Sequence, residues 1–399
     1  MSCRMSLRNK RIAILNDSTK YGRLTIMQQP IVHTYSLGEL YTERKEKGDP
    51  SLPILTVSIH AGVSEGELDE DKLGKKVKRI ADKTQYKTAR KGDLVFNMMR
   101  AWQGAIGIVR SDGLVSPAYI VAKPNEKIWP EYMDYCMKTP RMIHAIHRQS
   151  YGVTDFRLRL YWDSFTPITC QLPPLPEQQK IVAILSTQDK VIELKEKLLV
   201  QKQQQKKYLM QQLLTGKKRL PGFNGEWQFA KLENVSKYSA SAASFKTYES
   251  HLGCGPYPVY DATGCFGNID FYENEQPYIS IVKDGAGAGR VALCKAKSST
   301  IGTLGCIFAN DIDLLYLFYW MSAVDFQIYS NGSTIPHVYY KDYKNVQVHL
   351  PCRLEQEAIV EILSTADHEI DLLQKFIEAE KQKKKALMQL LITGKVRRK

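Results

Sequence analysis

The sequence lacks the long apolar runs that cross membranes or direct secretion. Nowhere does it approach the roughly 18 consecutive apolar residues that a membrane-spanning helix needs. Its first thirty positions are basic, but only residues 12–15 form an apolar stretch, which is too short for the centre of a signal peptide. We therefore expect a cytoplasmic protein without a membrane anchor.

Closely spaced cysteines are also missing. The eight cysteines are scattered, and none forms a Cys-x-x-Cys pair. Because that spacing is typical of zinc sites and redox-active disulfides, its absence argues against both. We expect reduced and mostly buried thiols, and no metal bound by this chain.

Motifs for nucleotide binding are absent or incomplete. There is no GxxxxGK[ST] sequence, which argues against a P-loop NTPase site. The glycine-rich residues 284–289 follow a predicted strand, but Arg290 stands where a dinucleotide-binding motif needs its third glycine. We interpret this run as a hairpin or tight turn, with residues 100–104 at the comparable place in the first half of the chain.

Catalytic constellations are equally scarce. Residues 116–119, Ser-Pro-Ala-Tyr, are only partly similar to the amino-methyltransferase motif, because Ala118 replaces its second proline. His144 and His147 are spaced for one face of a helix, but they have no histidine counterparts in the second half, so packing or a surface role is favoured over a metal site. No carboxylate and lysine cluster indicates a nuclease. We therefore predict a non-catalytic protein that recognises a partner.

A duplication dominates what is present. Residues 177–219 recur as residues 355–397 without a gap, many of them identical at the fixed offset of 178. A repeat of constant phase over so many positions indicates one structural unit that is used twice. Gly216 and Gly394 stand near the ends of the two copies, where glycine typically terminates a helix.

Apolar residues in each copy recur every seven positions, which predicts one apolar face of a long helix. At about 1.5 Å per residue, a helix of this length is a rod of roughly 60 Å. Two matched copies favour packing of the helices against each other over ordinary core packing. The predicted helix-pair packing residues are Leu185, Ile192, Leu199, Leu213, Leu363, Ile370, Ile377 and Leu391.

Charge indicates the direction of that packing. Residues 195–219 contain eight basic residues and one acidic residue, and residues 375–399 contain nine basic and two acidic residues. The start of the second copy, by contrast, is acidic. An antiparallel pair sets the basic end of the first helix beside this acidic start, whereas a parallel pair would place two strongly positive ends together. We predict an antiparallel pair.

The chain is long enough for two or three domains, and we predict an α+β (mixed α/β) fold. The segment before each helix shows the same plan of strands, a glycine-containing turn, a helix and returning strands, so the whole is a pseudo-two-fold tandem repeat. The predicted parts are an N-terminal tail at residues 1–34, a globular domain at 35–174, a long helix at 175–218, a second globular domain at 219–352 and a second long helix at 353–399.

The net charge of +14 is compatible with a polyanionic partner. Duplex DNA has two-fold axes perpendicular to its length, so two related domains can face opposite strands, with half-sites about one turn or roughly 10 bp apart. Long polar side chains on loops and return strands suit base edges. The DNA-binding candidates are Arg100, Trp102, Arg157, Arg159, Lys283, Arg290, His337 and Lys341.

Motifs around the two helices resemble a known family, the specificity (S) subunits of Type I restriction-modification systems. They are Leu-Pro-Pro-Leu-Pro-Glu-Gln at residues 172–178, Leu-Leu-Thr-Gly-Lys at residues 213–217, Arg-Leu-Pro-Gly-Phe at residues 219–223, and Gly332 followed by Pro336-His337. The resemblance covers nearly all of the chain after about residue 35, and the tandem arrangement is quite specific.

The resemblance implies that each globular domain is a target recognition domain that reads one half of a bipartite, asymmetric DNA site. It also implies that the helix pair sets the spacer and docks two methyltransferase subunits, which restriction and translocase subunits join. S-adenosylmethionine, ATP and magnesium are then expected on the partner subunits, and none of them on this chain.

Two other classes stay open on the residues alone. One is a coiled-coil adaptor that binds protein without reading DNA, which a sequence-dependent footprint with the methyltransferase present would exclude. The other is a stand-alone DNA methyltransferase or nuclease, which the purified chain would reveal by modifying or cleaving DNA.

Overall fold

The computed structural model describes residues 32–59, 62–66, 82–152, 157–332 and 335–395. The chain divides into two compact units. The first comprises the chain up to Glu193 together with the part from Glu378 onward, and the second runs from Leu194 to Ile377. Of the tail predicted at residues 1–34, residues 1–31 lie outside the described part, and the first strand begins at His33.

The first part of the chain folds into antiparallel strands and short helices. The strands are β1 (His33–Ser36), β2 (Tyr41–Glu43), β3 (Leu55–Ser58), β4 (Gly62–Glu65), β5 (Lys87–Ala89), β6 (Leu94–Asn97), β7 (Ile106–Ile108), β8 (Gly113–Val115), β9 (Tyr119–Pro124) and β10 (Thr169–Leu172). The helices are α1 (Leu37–Leu40), α2 (Pro130–Met137), α3 (Pro140–Gln149), α4 (Trp162–Phe165) and the long α5 (Leu175–Leu213).

The main sheet of the first unit has the order β2-β9-β6-β7. Its inner strand β6 is buried at every position, because it is paired on both edges and covered by side chains on both faces. Leu94 and Phe96 of this strand share one apolar core with Tyr132 of α2. The same core includes Leu185 and Leu391 from the long helices, so the domain and the helix ends fold as one body.

The second part of the chain repeats this plan. Its strands are β11 (Gln228–Lys231), β12 (Ser236–Ser239), β13 (Tyr257–Asp261), β14 (Gly264–Ile269), β15 (Tyr278–Val282), β16 (Val291–Cys294), β17 (Ser299–Thr300), β18 (Leu304–Ala309) and β19 (Gln347–Leu350). Its helices are α6 (Leu232–Val235), α7 (Phe245–Glu249), α8 (Leu314–Ala323), α9 (Tyr340–Tyr343) and the long α10 (Arg353–Ile392).

The two units share their topology, as the sequence predicted. The main sheet of the second unit, β12-β18-β15-β16, matches the order of the first unit's main sheet strand for strand. The antiparallel pair β11 and β19 corresponds to the pair β1 and β10. The second unit differs in a small additional sheet, β14-β13-β17, in which β13 and β17 run parallel.

Glycines terminate both long helices. Gly216 and Gly394 adopt positive φ angles of 69° and 71°, in the left-handed region that glycine enters without steric cost. At the end of the first helix, the Gly216 N–H donates to the carbonyl of Leu213 at 3.4 Å and the Lys218 N–H donates to the carbonyl of Gln212 at 3.1 Å, which satisfies two carbonyls of the last turn. The helix α5 therefore ends at Leu213, five residues before the predicted bound at 218.

The two long helices run antiparallel within the second unit. As residue numbers rise along α5 and just beyond its end, their partners on α10 fall in number. The contacts are Lys195 over the ring of Phe376, Lys202 with Glu369, Lys206 with Asp367, and Arg219 with Glu355. The predicted pairing of the basic end of the first helix with the acidic start of the second is thus confirmed.

The predicted packing stripe serves two purposes. Leu185 and Leu391 lie in the core of the first unit, and Leu213 and Leu363 lie in the core of the second, so the helix ends pack against the domains as well as along each other. The remaining four residues are buried or half-buried in the middle of the helices: Ile192, Ile377, Leu199 and Ile370.

Across the described ranges, none of the helices combines the length and the apolar composition that a membrane crossing requires.

Candidate nucleic-acid interface

In the first unit, the loop between β6 and β7 carries two of the predicted DNA-binding residues. Arg100 precedes a single 3₁₀ turn at Ala101–Gln103 and is exposed. Trp102 is half-buried: its indole N–H donates to the carbonyl of Met99 at 3.0 Å, and its ring meets that of His147 edge-on, with centroids 5.6 Å apart. Arg100 thus faces solvent, whereas Trp102 shapes the loop.

A second loop, of which residues 151, 152 and 157–159 are described, lies beside the first. Tyr151 and Arg159 exchange two backbone hydrogen bonds of 3.0 and 2.9 Å, which close this loop at its base. The next N–H, that of Leu160, donates to the carbonyl of Met98 at 2.9 Å, directly after β6. The exposed Arg157 and Arg159 are therefore attached next to the loop that carries Arg100.

The corresponding hairpin in the second unit joins β15 to β16 through residues 283–290. The strands are antiparallel neighbours, so the interpretation of the glycine-rich run as a hairpin turn is confirmed. Gly289 has a φ of 85°, and its N–H donates to the carbonyl of Val282 at 2.8 Å. A Cβ at this position would also lie 2.7 Å from the Cβ of Phe326, so glycine is required.

A return loop again lies beside the hairpin. Asn331 and His337 exchange two backbone hydrogen bonds of 2.8 Å each, and the Val338 N–H donates to the carbonyl of Lys283 at 2.8 Å. These bonds repeat those of the first unit at equivalent positions. His337 Nδ1 also lies 2.7 Å from Asp284 Oδ1, which fixes the orientation of the imidazole ring.

Both return loops depend on a glycine. A Cβ on Gly152 would lie 2.3 Å from the carbonyl oxygen of Arg157, and a Cβ on Gly332 would lie 2.5 Å from that of Ile335. Distances this short are incompatible with any side chain, and Gly332 additionally has a φ of 96°. The glycine pair noted at an offset of 180 residues therefore marks the same backbone requirement in both units.

Aromatic and cationic groups line the end of the second return loop. The rings of His337 and Tyr339 are stacked, with centroids 5.7 Å apart and an interplanar angle of 6°. The Lys341 ammonium lies 5.9 Å from the centre of the Tyr339 ring. Tyr339 and Lys341 are exposed, so this row combines a flat apolar surface with a positive charge. Such a surface suits contact with bases and phosphates.

Arg290 is held by a third loop that sequence reasoning missed. Its guanidinium donates to the carbonyl of Ala262, in the turn between β13 and β14. In that turn the Asp261 carboxylate accepts bonds from the N–H and hydroxyl of Thr263, at 2.7 and 2.6 Å. The Asp-Ala-Thr-Gly pattern is a turn signal that could have located it. Arg290 thus connects its own hairpin to the turn between β13 and β14. Thr263 in that turn is exposed.

The predicted DNA-binding residues therefore fall into two clusters, one in each unit. Arg100, Arg157 and Arg159 stand on adjacent loops of the first unit, with Trp102 packed behind them. In the second unit, the candidates stand on the hairpin and the return segment: Lys283, Arg290, His337 and Lys341. Their contacts with bases stay a prediction.

Two motifs that the sequence raised have structural roles. Tyr119 begins β9, and its carbonyl accepts a bond of 2.7 Å from the Lys87 ammonium, while burial raises the pKa of its phenol. His147 packs on Trp102 as described. Within the described ranges, no group of three or more His, Cys, Asp and Glu side chains is arranged to hold a metal ion.

Two buried glutamines attach the long helices to the domains, and sequence reasoning gave them no role. The amide of Gln178 accepts the Trp129 N–H at 2.8 Å and donates to the carbonyls of Lys127 and Pro173. The equivalent Gln356 accepts the Asp313 N–H at 2.9 Å and donates to the carbonyl of Pro351 at 3.0 Å. In each unit one amide thus satisfies the N-terminus of a domain helix and the start of a long helix. Their repetition at the offset of 178 was the available signal.

A family profile described as a Type I restriction modification DNA specificity domain matches the chain twice, at residues 36–202 and 224–381. The relatives include a provisionally named MjaX type I restriction enzyme specificity subunit of Methanocaldococcus jannaschii, 25% identical over 89% of this chain and 90% of the relative. The MjaVIII specificity subunit of the same organism is 25% identical over 71% of this chain and 75% of its own length.

Solved structures show the same fold. An S subunit of a Type I restriction-modification system from M. genitalium has a TM-score of 0.59 at 13% identity, covering 92% of this chain and 98% of that one. A chain from a structure on complex assembly and conformational transition of the type I R-M system has a TM-score of 0.58 at 18% identity, covering 92% and 99%.

Proposed function

The chain belongs to the family of Type I restriction-modification DNA specificity proteins and carries two specificity domains; from this premise we propose that each domain reads one half of a bipartite, asymmetric DNA target. Its relatives are specificity subunits, so it is a recognition subunit and not a catalytic one. The first recognition domain is the globular domain at residues 35–174, and the second is the globular domain at residues 219–352.

The observation that carries this proposal is the duplicated loop pair. In each unit a hairpin loop and a return loop are bonded to each other at equivalent positions, through Leu160 and Met98 in one and through Val338 and Lys283 in the other. The frame is the same, but the exposed side chains on it differ. Two loop pairs with the same backbone arrangement but different exposed side chains suit the reading of two different half-sites.

The two long helices differ from the domains in this respect. Their sequences are similar to each other, whereas the sequences of the two domains diverge. Leu194 and Leu372 stand at equivalent positions on the two helices and are 53% and 52% exposed, although leucine is usually buried. Equal outward-facing residues on both helices fit two copies of one partner. We therefore assign the helix pair to the docking of two methyltransferase subunits and to the setting of the spacer between half-sites.

The family resemblance extends this proposal to the remaining parts of the complex. Restriction and translocase subunits join the methyltransferase core in the cytoplasm. S-adenosylmethionine, ATP and magnesium bind to those partners and not to this chain. The assignment predicts that the purified chain neither modifies nor cleaves DNA.

Sequencing of methylated bases in the host genome, with and without the gene for this chain, tests the proposal. We expect a split motif of two defined half-sites that disappears on deletion. A genome whose methylation is unchanged by deletion would overturn DNA reading and favour a protein-binding adaptor.

Substitutions then assign the half-sites to the domains. Arg100→Ala and Arg159→Ala should relax one half-site only, and Lys283→Ala and Lys341→Ala the other. A lost base contact costs about 1–3 kcal/mol at one position. Lys123→Ala, an exposed lysine on β9, is the matched control and should leave the motif unchanged.

A further inference from the structure

A tyrosine, an aspartate and a lysine from three different elements meet in the first unit. The hydroxyl of Tyr135 on α2 donates to Asp189 Oδ2 on α5 at 2.6 Å. Lys384 on α10 forms an ion pair with the other carboxylate oxygen of Asp189. The same ammonium lies 5.6 Å from the centre of the Tyr135 ring. One carboxylate thus connects the domain to both long helices.

The second unit contains the same arrangement. The hydroxyl of Tyr319 on α8 donates to Asp367 Oδ2 on α10 at 2.9 Å. Lys206 on α5 pairs with Oδ1 of Asp367, and its ammonium lies 5.4 Å from the centre of the Tyr319 ring. We call each set a Tyr–Asp–Lys triad.

The two triads are crosswise, which means that each combines residues from both repeats. Asp189 and Asp367 differ by the repeat offset of 178, and so do Lys206 and Lys384. Each aspartate lies on the long helix that directly follows its own domain, whereas each lysine comes from the other repeat. The same chemistry therefore forms twice, from residues far apart in the sequence, which a chance contact would not do.

The chemistry of the triads suits firm attachment. A phenol, an ammonium group and a carboxylate form charge-assisted hydrogen bonds, which are about twice as strong as neutral ones. Burial and the bond to its aspartate raise the pKa of both Tyr135 and Tyr319, so each hydroxyl stays protonated and keeps donating. The lysine side chains are 30% and 22% exposed and the aspartate side chains 40% and 41%, so solvent screens these ion pairs only in part.

Each triad is the second of two attachment points. Gln178 precedes Asp189 by eleven residues, and Gln356 precedes Asp367 by the same number. Eleven helical residues correspond to about 16 Å along the axis. A body attached to a rod at two points this far apart cannot pivot about either one. Attachment at the glutamine alone would leave the domain free to tilt.

We propose that the two Tyr–Asp–Lys triads are positioning residues that hold each recognition domain at a fixed orientation on the helix pair, and thereby fix the separation of the two half-sites. This inference rests on the proposed function, because it concerns how the domains meet a bipartite target. The triads do not touch the target, and they act through the orientation of the loops.

The crosswise arrangement gives an outcome that sequence order alone would not suggest. Lys206 belongs to the first repeat but holds the second recognition domain, and Lys384 belongs to the second repeat but holds the first. Lys206→Gln should therefore loosen reading of the half-site that Lys283→Ala affects. Lys384→Gln should loosen reading of the half-site that Arg100→Ala affects.

The test measures methylation by the full complex on DNA targets whose spacer is correct, one base pair shorter or one base pair longer. Wild type should discriminate strongly among them. Lys206→Gln and Lys384→Gln should each reduce that discrimination about five- to tenfold, the range for one hydrogen bond that solvent partly screens. Lys206→Arg and Lys384→Arg keep the cation and should restore it. Lys375→Gln removes a lysine paired within one helix to Asp371 and should change nothing.

Unchanged discrimination in both glutamine variants, or relaxation of the half-site on the same repeat as the lysine, would overturn the proposal. A wild-type complex without any split target would instead refute the proposed function. In that case a double-mutant cycle of Tyr135→Phe and Lys384→Gln decides the triad by thermal unfolding of the full chain: coupled losses support attachment, and independent losses refute it.

Discussion

Gln178 and Gln356 show how much of this fold depends on single buried side chains. They are 0% and 4% exposed, and each amide bonds to a domain helix and to its own helix start. A buried polar group is tolerated only when it is bonded, and its partners become unsatisfied when it is removed. The glutamine that recurs at the same position of both repeats is therefore as necessary for the fold as a residue of the apolar core.

We predict that Gln178→Leu destabilises the first unit by about 2–4 kcal/mol, because it leaves the Trp129 N–H and the carbonyls of Lys127 and Pro173 without this hydrogen-bond partner. Thermal unfolding should show a lower Tm. Gln179→Leu changes the exposed neighbour and is the control. Equal Tm values for the two variants would contradict the role given to Gln178.

The cysteines should differ in reactivity according to their burial. Burial raises the pKa of Cys136 to about 12 and that of Cys306 to about 11, and the thiolate is the reactive form. At pH 8 a thiol reagent should therefore spare the buried thiols in the native chain: Cys136, Cys170, Cys294 and Cys306. It should modify the exposed ones: Cys254, Cys265 and Cys352. Peptide mass mapping distinguishes the two groups, and early modification of Cys136 without unfolding would contradict the described burial.

At the scale of elements, the start of α10 contains an enclosed carboxylate, Glu355, which forms an ion pair with Arg219. Glu355 is 1% exposed, accepts two bonds of 2.8 Å from Arg219 and a third of 3.0 Å from the indole N–H of Trp227. By contrast, Glu369 in the pair with Lys202 is 50% exposed, and pairs with an exposed carboxylate contribute little. The pair at Glu355 therefore fixes where the second helix begins.

Glu355→Gln should lower the Tm by about 3–6 °C, because a neutral amide cannot accept all three bonds and leaves Arg219 without its counter-charge. Glu357→Gln is the matched control, since Glu357 is 53% exposed and pairs with Arg353 within its own helix. The comparison fails if both variants melt alike.

Some of these elements could be predicted from the sequence, and others could not. The long helices were predictable because a heptad stripe, a gapless repeat and opposite charges all pointed to one antiparallel pair. The hairpin at residues 283–290 followed from its glycines. The additional sheet β14-β13-β17 did not follow, because its parallel contact joins segments far apart in sequence and depends on tertiary packing.

The candidate site was predictable only in part, for a similar reason. Cations such as Arg100 and Lys283 could be chosen from their loops. The tether from Arg290 to Ala262 and the crosswise partners of Asp189 and Asp367 depend on contacts between distant residues. Periodicity within one segment contains no information about such contacts.

At the scale of the whole molecule, the repeat gives both helices the same attachments with the roles exchanged. Each helix contributes a glutamine and an aspartate to the domain that precedes it, and a lysine to the other domain. A length change in only one helix would displace that lysine from its aspartate, whereas equal changes in both would preserve both lysine–aspartate pairs. The lengths of the two helices can therefore change only together.

We predict that inserting seven residues after Leu194 and seven after Leu372 lengthens the target spacer by about 3 bp. Seven residues keep the heptad stripe in phase and add about 10 Å of helix, and each base pair rises about 3.4 Å. Methylated-base sequencing should recover the same two half-sites with the longer gap. Insertion into α5 alone breaks the pairing and should lower the Tm and abolish methylation. An unchanged spacer in the double insertion would show that the helix pair does not set the separation of the half-sites.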